Sequence, residues 1–509
     1  MSNTSFSKQV PKNLFVNILS FAITILVGLW LTPYLIKNLG IVAYGLIPLA
    51  MFLSQYVSII INSINMSIGR FLLISIQKNR FKESNEIFNT SLIIISLFIL
   101  IQSILMYIVI IDINSFFNIP QNFIDDAKWL FSLTFIGFSI SLIRSIFATS
   151  IFSFNRLDIL RTIDILQNII RVLTILTFFI NDKPSLKYVG IANLFASIIS
   201  FIITFYFFKK FTPKIKINLI FFKKQRVLEL SNMSIWILIN QVGVLLLGNI
   251  DLYLVNTLIG TKATSEYAII IQVTSLFKTL ATLLGGILTP VIMIYYANEE
   301  YDKMKKAIIF ASKLMIIFII IPLSIVVYFS EPLISLWLGE KFSYLRNLIS
   351  FALLYLIFSI PIMPLFNINI SFNKVKLPAL IVIFSGLINI FSIYILIKYV
   401  YLGLWGVLIT KLIIEILYNS IFMPLYVANI LNIYKFYFFK IPLLSIFIYL
   451  ITYLFLYISN NFIAPESLLD IILYSVVFLF ISIPLYIKLF FDKKEKKLLF
   501  NTLLKKISK

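Results

Sequence analysis

The chain has 509 residues, of which 60% are hydrophobic and 13% charged, and its mean hydropathy is +1.00. A water-soluble domain carries about a quarter of its residues as charged ones, so this composition excludes a soluble fold. The formal net charge is +22, and there are no cysteines and no histidines. That excludes disulfides, thiolate chemistry and histidine proton relays, and no metal site is expected.

Taken in chain order, apolar stretches long enough to cross a hydrocarbon layer of about 30 Å recur from end to end. They predict fourteen helices, at about 12–37, 43–69, 87–111, 128–152, 162–181, 188–208, 231–259, 266–296, 307–330, 347–370, 378–397, 403–429, 441–459 and 470–490. The first follows Lys8 and Lys12 and lacks a small-residue cleavage site, so it reads as a retained helix. The loops after even-numbered helices, with both termini, hold 30 lysines and arginines and the other loops seven, when Lys12, Lys37 and Lys488 at span ends are counted with the segments beside them; six lie elsewhere in the spans. Basic residues accumulate on the cytoplasmic side, so this split puts both termini in the cytoplasm of a multi-pass bacterial inner-membrane protein. The same bias explains the net charge without nucleic acid as a partner.

No loop is large enough for a soluble domain. The longest cytoplasmic connection, 209–230, carries Lys209, Lys210, Lys214, Lys216, Lys223, Lys224 and Arg226 between helices six and seven. The expected division is therefore a six-helix lobe at 1–208, a basic linker at 209–230 and a second six-helix lobe at 231–430. Two further helices and a basic tail follow at 431–509. "YLIKNLGIVAYGL" in the first lobe is echoed by "LVNTLIGTKATSEYAI" in the second: an apolar run, a glycine-marked turn, then a tyrosine opening the next helix. An even number of helices per half makes such repeats parallel, about an axis along the membrane normal.

Polar residues inside the spans fall in stripes. Helix two has Gln55, Ser58, Asn62, Asn65 and Gly69; helix eight has Gln272, Ser275, Lys278 and Thr282; helix five has Asp164, Asn168 and Arg171; helix one has Asn17, Ser20 and Thr24. Spacings of three and four put each set on one helical face. Such faces either pack helices together or line a watery passage. Charge discriminates, because an ionised side chain at mid-membrane costs at least about 2.5 kcal/mol and therefore faces the protein interior or water. The candidates are Arg144, Arg171, Asp251, Lys278, Lys411 and Glu415. Lys411 and Glu415 are one turn apart and can neutralise each other. Arg171 and Lys278 have no opposite charge within a turn of their own helix, so each needs a partner on another helix or an anionic ligand. A cationic, water-accessible cavity of this kind belongs to a transporter. The acids in the external loops show no paired-carboxylate pattern, so enzyme activity is not expected.

Several blocks carry a resemblance in the right order. "TPYLIKNLGIVAYG", "NIDLYLVNTLIGTKATSEYAI", "LTPVIMIYYANEEYDKMKKA", "LISLWLGEKFS" and "NIFSIYILIKYVYLGLWGVLITKLIIEIL" resemble the polysaccharide-export branch of the MOP (MATE-like) superfamily, which contains the Wzx-type oligosaccharide-lipid flippases. The resemblance runs from about residue 10 to 430. It implies an all-α polytopic fold of about fourteen helices, two six-helix lobes in pseudo-twofold arrangement around a central cavity, and two peripheral helices. It implies as substrate an undecaprenyl-diphosphate-linked oligosaccharide, a repeat unit for O-antigen or capsule, moved from the cytoplasmic to the outer leaflet by alternating access. The implied partners are the lipid bilayer, a polysaccharide polymerase and chain-length proteins.

On that reading Arg144, Arg171 and Lys278 hold the diphosphate, arginine being shaped to grip phosphate oxygens in pairs. Gln55, Asn62 and Gln272 meet glycan hydroxyls. Asp251 matches the family's aspartate and is the acid expected to couple transport to H+ or Na+; no other cofactor is implied. Pro33, which lies within the first span and removes a backbone hydrogen bond, is expected to let helix one bend as a gate, with Gly40 and Gly45 allowing the reversal that follows. A lipid II flippase is an alternative differing only in the glycan. A MATE-type exporter of cationic drugs would prefer an acidic cavity.

Overall fold

The computed structural model describes residues 3–154, 156–248, 250–372, 374–460, 467–493 and 495–496, and within its helices some side chains, those of Gln55, Asn62 and Arg70 included, lie outside the described set. Among the described residues all regular structure is helical. That is the outcome lipid demands, since a helix satisfies its own backbone N–H and C=O groups where water cannot.

By packing, the chain forms two compact units, Met1–Ala268 and Ile269–Lys509. The first contains α1 (Asn3–Leu39), α2 (Ile41–Gln77), α3 (Phe81–Ile111), the short α4 (Ile113–Phe116), α5 (Ile124–Phe152), α6 (Leu157–Asn181), α7 (Leu186–Phe211), α8 (Lys224–Gly248) and α9 (Ile250–Leu258). It also includes the start of α10 (Thr261–Ala297). The packing boundary thus falls inside α10 rather than in the basic linker at 209–230. Its cause is that α8 packs on α2 and α3, and α9 on α2.

Glycines set the closest approach in this unit. A Cβ on Gly137 of α5 would lie 3.1 Å from the Cα of Leu194, and one on Gly190 of α7 would lie 3.2 Å from the Cα of Leu130. The two backbones can touch only because both residues lack side chains. Toward the other end of α3, α5 and α7 the gap is filled by rings: Phe88 stacks on Phe208 at 5.1 Å and Phe147 meets Phe208 edge-on at 4.9 Å. The reversal from α1 to α2 is made at Gly40, whose φ of +85° is left-handed backbone that glycine adopts without strain. Gly45 is not part of that turn. It lies in α2 with no room for a side chain, since a Cβ there would sit 2.8 Å from the Thr261 carbonyl oxygen and closer still to Ser265 Oγ. The helix assignment of α1 runs through Pro33 without a break.

The second unit holds the rest of α10, then α11 (Tyr301–Met315), α12 (Ile321–Tyr328), α13 (Ser330–Leu338), α14 (Arg346–Ser359), α15 (Phe366–Ser371), α16 (Lys376–Lys398), α17 (Leu404–Glu415), α18 (Met423–Ile430), α19 (Lys440–Asn460) and α20 (Leu468–Phe490). Several pairs are one span with a local change of winding. A π-helical stretch at Ile316–Ile320 joins α11 to α12, and another at Ile416–Phe422 joins α17 to α18. Pro322 and Pro424 stand just beyond these stretches, at the starts of α12 and α18. A proline there has no N–H to give, and a wide turn absorbs the missing bond.

Thirteen helices among the described residues are long and apolar enough to cross a membrane. Each coincides with one of the predicted spans. The remaining prediction, 43–69, falls on α2, whose 37 residues reach about 55 Å and whose described part gives two shorter apolar stretches, Ile41–Phe52 and Ser67–Ile76.

Candidate functional site

In the first unit α2, α5, α6 and α7 surround a cavity of about 290 Å³. Its wall is built from helical faces at spacings of three and four. α2 contributes Met51, Ser54 and Ser58; α5 contributes Thr134, Phe138 and Ser141; α6 contributes Gln167, Asn168 and Arg171; α7 contributes Asn193, Ala196 and Ser197. Eight of the twelve wall residues carry a hydroxyl or an amide, beside the apolar Met51, Phe138 and Ala196, so the wall offers hydrogen-bond partners to a ligand rich in hydroxyl groups.

Arg171 lies near the middle of α6 and supplies the cavity's charge. Its Nε is buried and has no hydrogen-bond partner, and it makes no ion pair among the described residues. A guanidinium stays protonated, so an unpartnered one in a membrane-spanning helix is costly unless an anion or water occupies the space beside it.

Arg144 is different. Its Nη2 lies 2.8 Å from Asp164 Oδ1, its Nη1 donates to Gln167 Oε1 at 3.2 Å, and its Nε donates to Thr204 Oγ1 at 2.9 Å. Arg161 Nη1 reaches the other Asp164 oxygen at 3.2 Å. Arg144 therefore ties α5 to α6 and α7, and it holds Gln167, itself a wall residue, in place. The carboxylate on the helix-five stripe pairs with Arg144 and Arg161, leaving Arg171 to the cavity.

The stripes divide between packing and lining. Asn65 donates to Ser145 Oγ at 2.9 Å and Asn168 to Thr24 Oγ1 at 3.3 Å, so both link neighbouring helices, although Asn168 also faces the cavity. Gln55 and Asn62 have side chains outside the described residues.

Lys278 and Gln272 belong to α10 within the second unit. Lys278 is exposed, with its Nζ 5.0 Å from the ring centre of Tyr355, and Lys411 approaches the same ring at 5.7 Å. Tyr355 is itself buried, so its face serves two cations. Gln272 is half-buried. Arg144 and Arg171 thus lie in one packing unit and Lys278 in the other.

Asp251 is fully buried in α9, where Tyr267 Oη donates to its Oδ2 at 2.9 Å. A second buried cluster stands nearby in sequence. Asn256 Oδ1 accepts from the Asn118 backbone N–H at 3.0 Å, and its amide donates to Thr264 Oγ1 at 3.2 Å. Gly45 belongs to the same region, because its missing side chain admits Thr261 and Ser265.

Sequence reading missed the α7 wall. Asn193, Ser197, Ser200 and Thr204 follow one another at spacings of four, three and four, the same signal that marked α2. Thr134 and Ser141 on α5 are likewise seven apart, on one face.

Residues 10–296 match the polysaccharide biosynthesis protein family, and residues 237–395 match the MatE family. The chain is 29% identical, over 84% of its length, to the uncharacterized membrane protein EpsK of Bacillus subtilis (strain 168), 85% of which is covered. Its fold is similar to that of the lipid II flippase MurJ in an inward closed conformation, with a TM-score of 0.67 and 16% identity, covering 94% of this chain and 98% of that one. It is also similar to an inward-facing MATE family multidrug resistance transporter of the MOP superfamily, with a TM-score of 0.62 and 15% identity, covering 81% and 96%.

Proposed function

Because the chain belongs to the polysaccharide biosynthesis protein family, whose match spans more than half its length, we propose that it is a flippase for an undecaprenyl-diphosphate-linked oligosaccharide. It moves this repeat unit of a surface polysaccharide from the cytoplasmic to the outer leaflet of the inner membrane, with both termini in the cytoplasm. It is a transporter and not a catalyst.

One observation carries the reading: Arg171, whose buried Nε has no hydrogen-bond partner, faces a cavity in which most wall residues carry a hydroxyl or an amide. The diphosphate is the strongest fixed charge on such a substrate and takes the guanidinium, while glycan hydroxyls meet Ser54, Ser58, Ser141, Asn168 and Asn193. Arg144 holds Gln167 and α6 in register. Asp251 is the acid assigned to H+ or Na+ coupling, and the bend allowed by Pro33 and Gly40 assists the change of access. The fold shared with lipid II flippase MurJ supports a lipid-linked glycan, with the peptidoglycan precursor as the second reading. The cationic cavity disfavours export of cationic drugs.

The test is reconstitution in liposomes with a purified undecaprenyl-diphosphate oligosaccharide, lipid II and, separately, a lipophilic cation. Flipping of the first is the expected result. Transport of the lipophilic cation without flipping of either glycolipid would sink the proposal.

A further inference from the structure

The basic linker is docked along α3 in a manner that fixes its depth. Asn85 and Asn89, one turn apart on α3, act as a two-rung ladder for the extended chain. The Asn85 amide donates to the Lys214 carbonyl at 3.1 Å, and its Oδ1 accepts from the Lys216 N–H at 2.6 Å. Asn89 repeats the pattern two residues on, donating to the Lys216 carbonyl at 2.7 Å and accepting from the Asn218 N–H at 2.9 Å. Ile215 is buried in one apolar cluster with Ile87, Phe88 and Phe208, which pins this segment to the unit. Farther along, the Lys223 N–H donates to Thr90 Oγ1 at 3.1 Å, and Arg226 returns to Glu83 and Glu86 at 3.2 and 3.5 Å.

These partners trace a dip. The chain meets α3 at Asn85, descends about 6 Å to the level of Asn89 and Thr90, and climbs back to Glu83. The 3-10 turn Leu219–Phe221 lies between the anchors at Asn89 and Thr90. That descent heads into the membrane, because α3 is itself a span running inward from Phe81. Around the turn the exposed side chains are apolar: Ile217 is 50% exposed, Leu219 74%, Ile220 81% and Phe222 40%. The exposed Lys214, Lys216, Lys223 and Lys224 flank this turn in the chain on both sides.

We infer that this linker is a membrane-surface binding element, in which Leu219, Ile220 and Phe222 embed in the headgroup layer of the adjoining leaflet and the four lysines bind anionic phospholipid headgroups. An exposed apolar turn flanked by ammonium groups matches a surface that is apolar beneath and negative above. The Asn85–Asn89 ladder holds the tip at that depth, so the association is prepared by the fold. The inference is independent of the substrate assigned above.

Because the chain has no cysteine, an environment-sensitive fluorophore can be placed by Ile220→Cys in the full-length protein. The labelled protein is reconstituted in nanodiscs of phosphatidylcholine alone or mixed with phosphatidylglycerol, some carrying a spin-labelled phosphatidylcholine as a quencher. The expected result is blue-shifted emission and several-fold stronger lipid-borne quenching in the anionic discs, reversed by high salt. Lys214→Gln, Lys216→Gln, Lys223→Gln and Lys224→Gln, combined, should give the same reversal. Salt on the unsubstituted lysines tests the charge without relying on the fourfold variant's folding. Water-like emission in both kinds of disc would overturn the inference. So would equal quenching with and without phosphatidylglycerol, which would remove the anionic partner.

Discussion

Arg144 and Asp164, twenty residues apart on α5 and α6, close an ion pair at 2.8 Å that leaves Arg171 as the cationic wall of the cavity. The pair is partly buried, with Arg144 12% and Asp164 32% exposed. Breaking a fully buried pair costs about 3–5 kcal/mol, and solvent access to Asp164 brings the expected loss down to roughly 1–2 kcal/mol. Asp164→Asn should lower the melting temperature of the detergent-solubilised protein, and Arg144→Ala should do so as well. The double variant should lose less than the sum of the two. Strict additivity would show that the two residues do not stabilise each other.

Gly40 and Gly45 are expected to fail differently when a side chain is added. At Gly40 a Cβ meets nothing within 4 Å, so Gly40→Ala carries only the strain of a positive φ, about 1 kcal/mol. At Gly45 the new methyl collides with Ser265 and the Thr261 carbonyl, and overpacking of this kind costs about 1–3 kcal/mol. Gly45→Ala should therefore be the more damaging, measured by thermal unfolding. Ser265→Ala should restore only part of the loss, because the Thr261 oxygen is backbone. Equal losses at the two glycines would contradict the contacts.

The spans were legible because each needs only a continuous apolar run, and runs such as 378–397 and 441–459 end within a few residues of α16 and α19. The stripe on helix five was legible too, but not its use. Asp164, Asn168 and Arg171 share a face by spacing alone. Which of them meets Arg144 depends on how α5 and α6 are rotated against each other, which spacing within one helix does not show. Gly45 read as part of a reversal because glycines commonly mark turns; only the position of Ser265, 220 residues later in the chain, shows that it serves a close contact. The linker read as a boundary because of its charge, whereas its docking depends on Asn85 and Asn89, whose spacing of four was visible but had no evident partner.

Asp251 is buried and accepts a hydrogen bond from Tyr267. If it carries the coupling proton or cation, Asp251→Asn should leave folded protein in the membrane and abolish the dependence of transport on the ion gradient. Tyr267→Phe should shift that dependence without removing it. An unchanged response to the gradient in Asp251→Asn proteoliposomes would make the residue a purely structural partner of Tyr267.

Orientation follows from the basic residues and is open to direct labelling on the cysteine-free chain. A cysteine at Asn122, exposed in the connection before α5, should react with an impermeant maleimide from outside intact cells. One at Lys303, exposed near the start of α11, should react only after the membrane is opened. Reversal at either position would invert the topology.

The central claim is that Arg171 grips a lipid-linked diphosphate, and the most direct measurement is the initial rate of glycolipid flipping in proteoliposomes of the native protein, Arg171→Gln and Arg171→Lys. A charge-assisted bond to phosphate is worth about 1.5–3 kcal/mol, so Arg171→Gln should be slower by roughly ten- to a hundredfold at subsaturating substrate, with unchanged melting temperature and insertion. Arg171→Lys should recover part of the rate, since lysine keeps the charge and loses the paired donors. A native flipping rate in well-inserted Arg171→Gln would contradict the account.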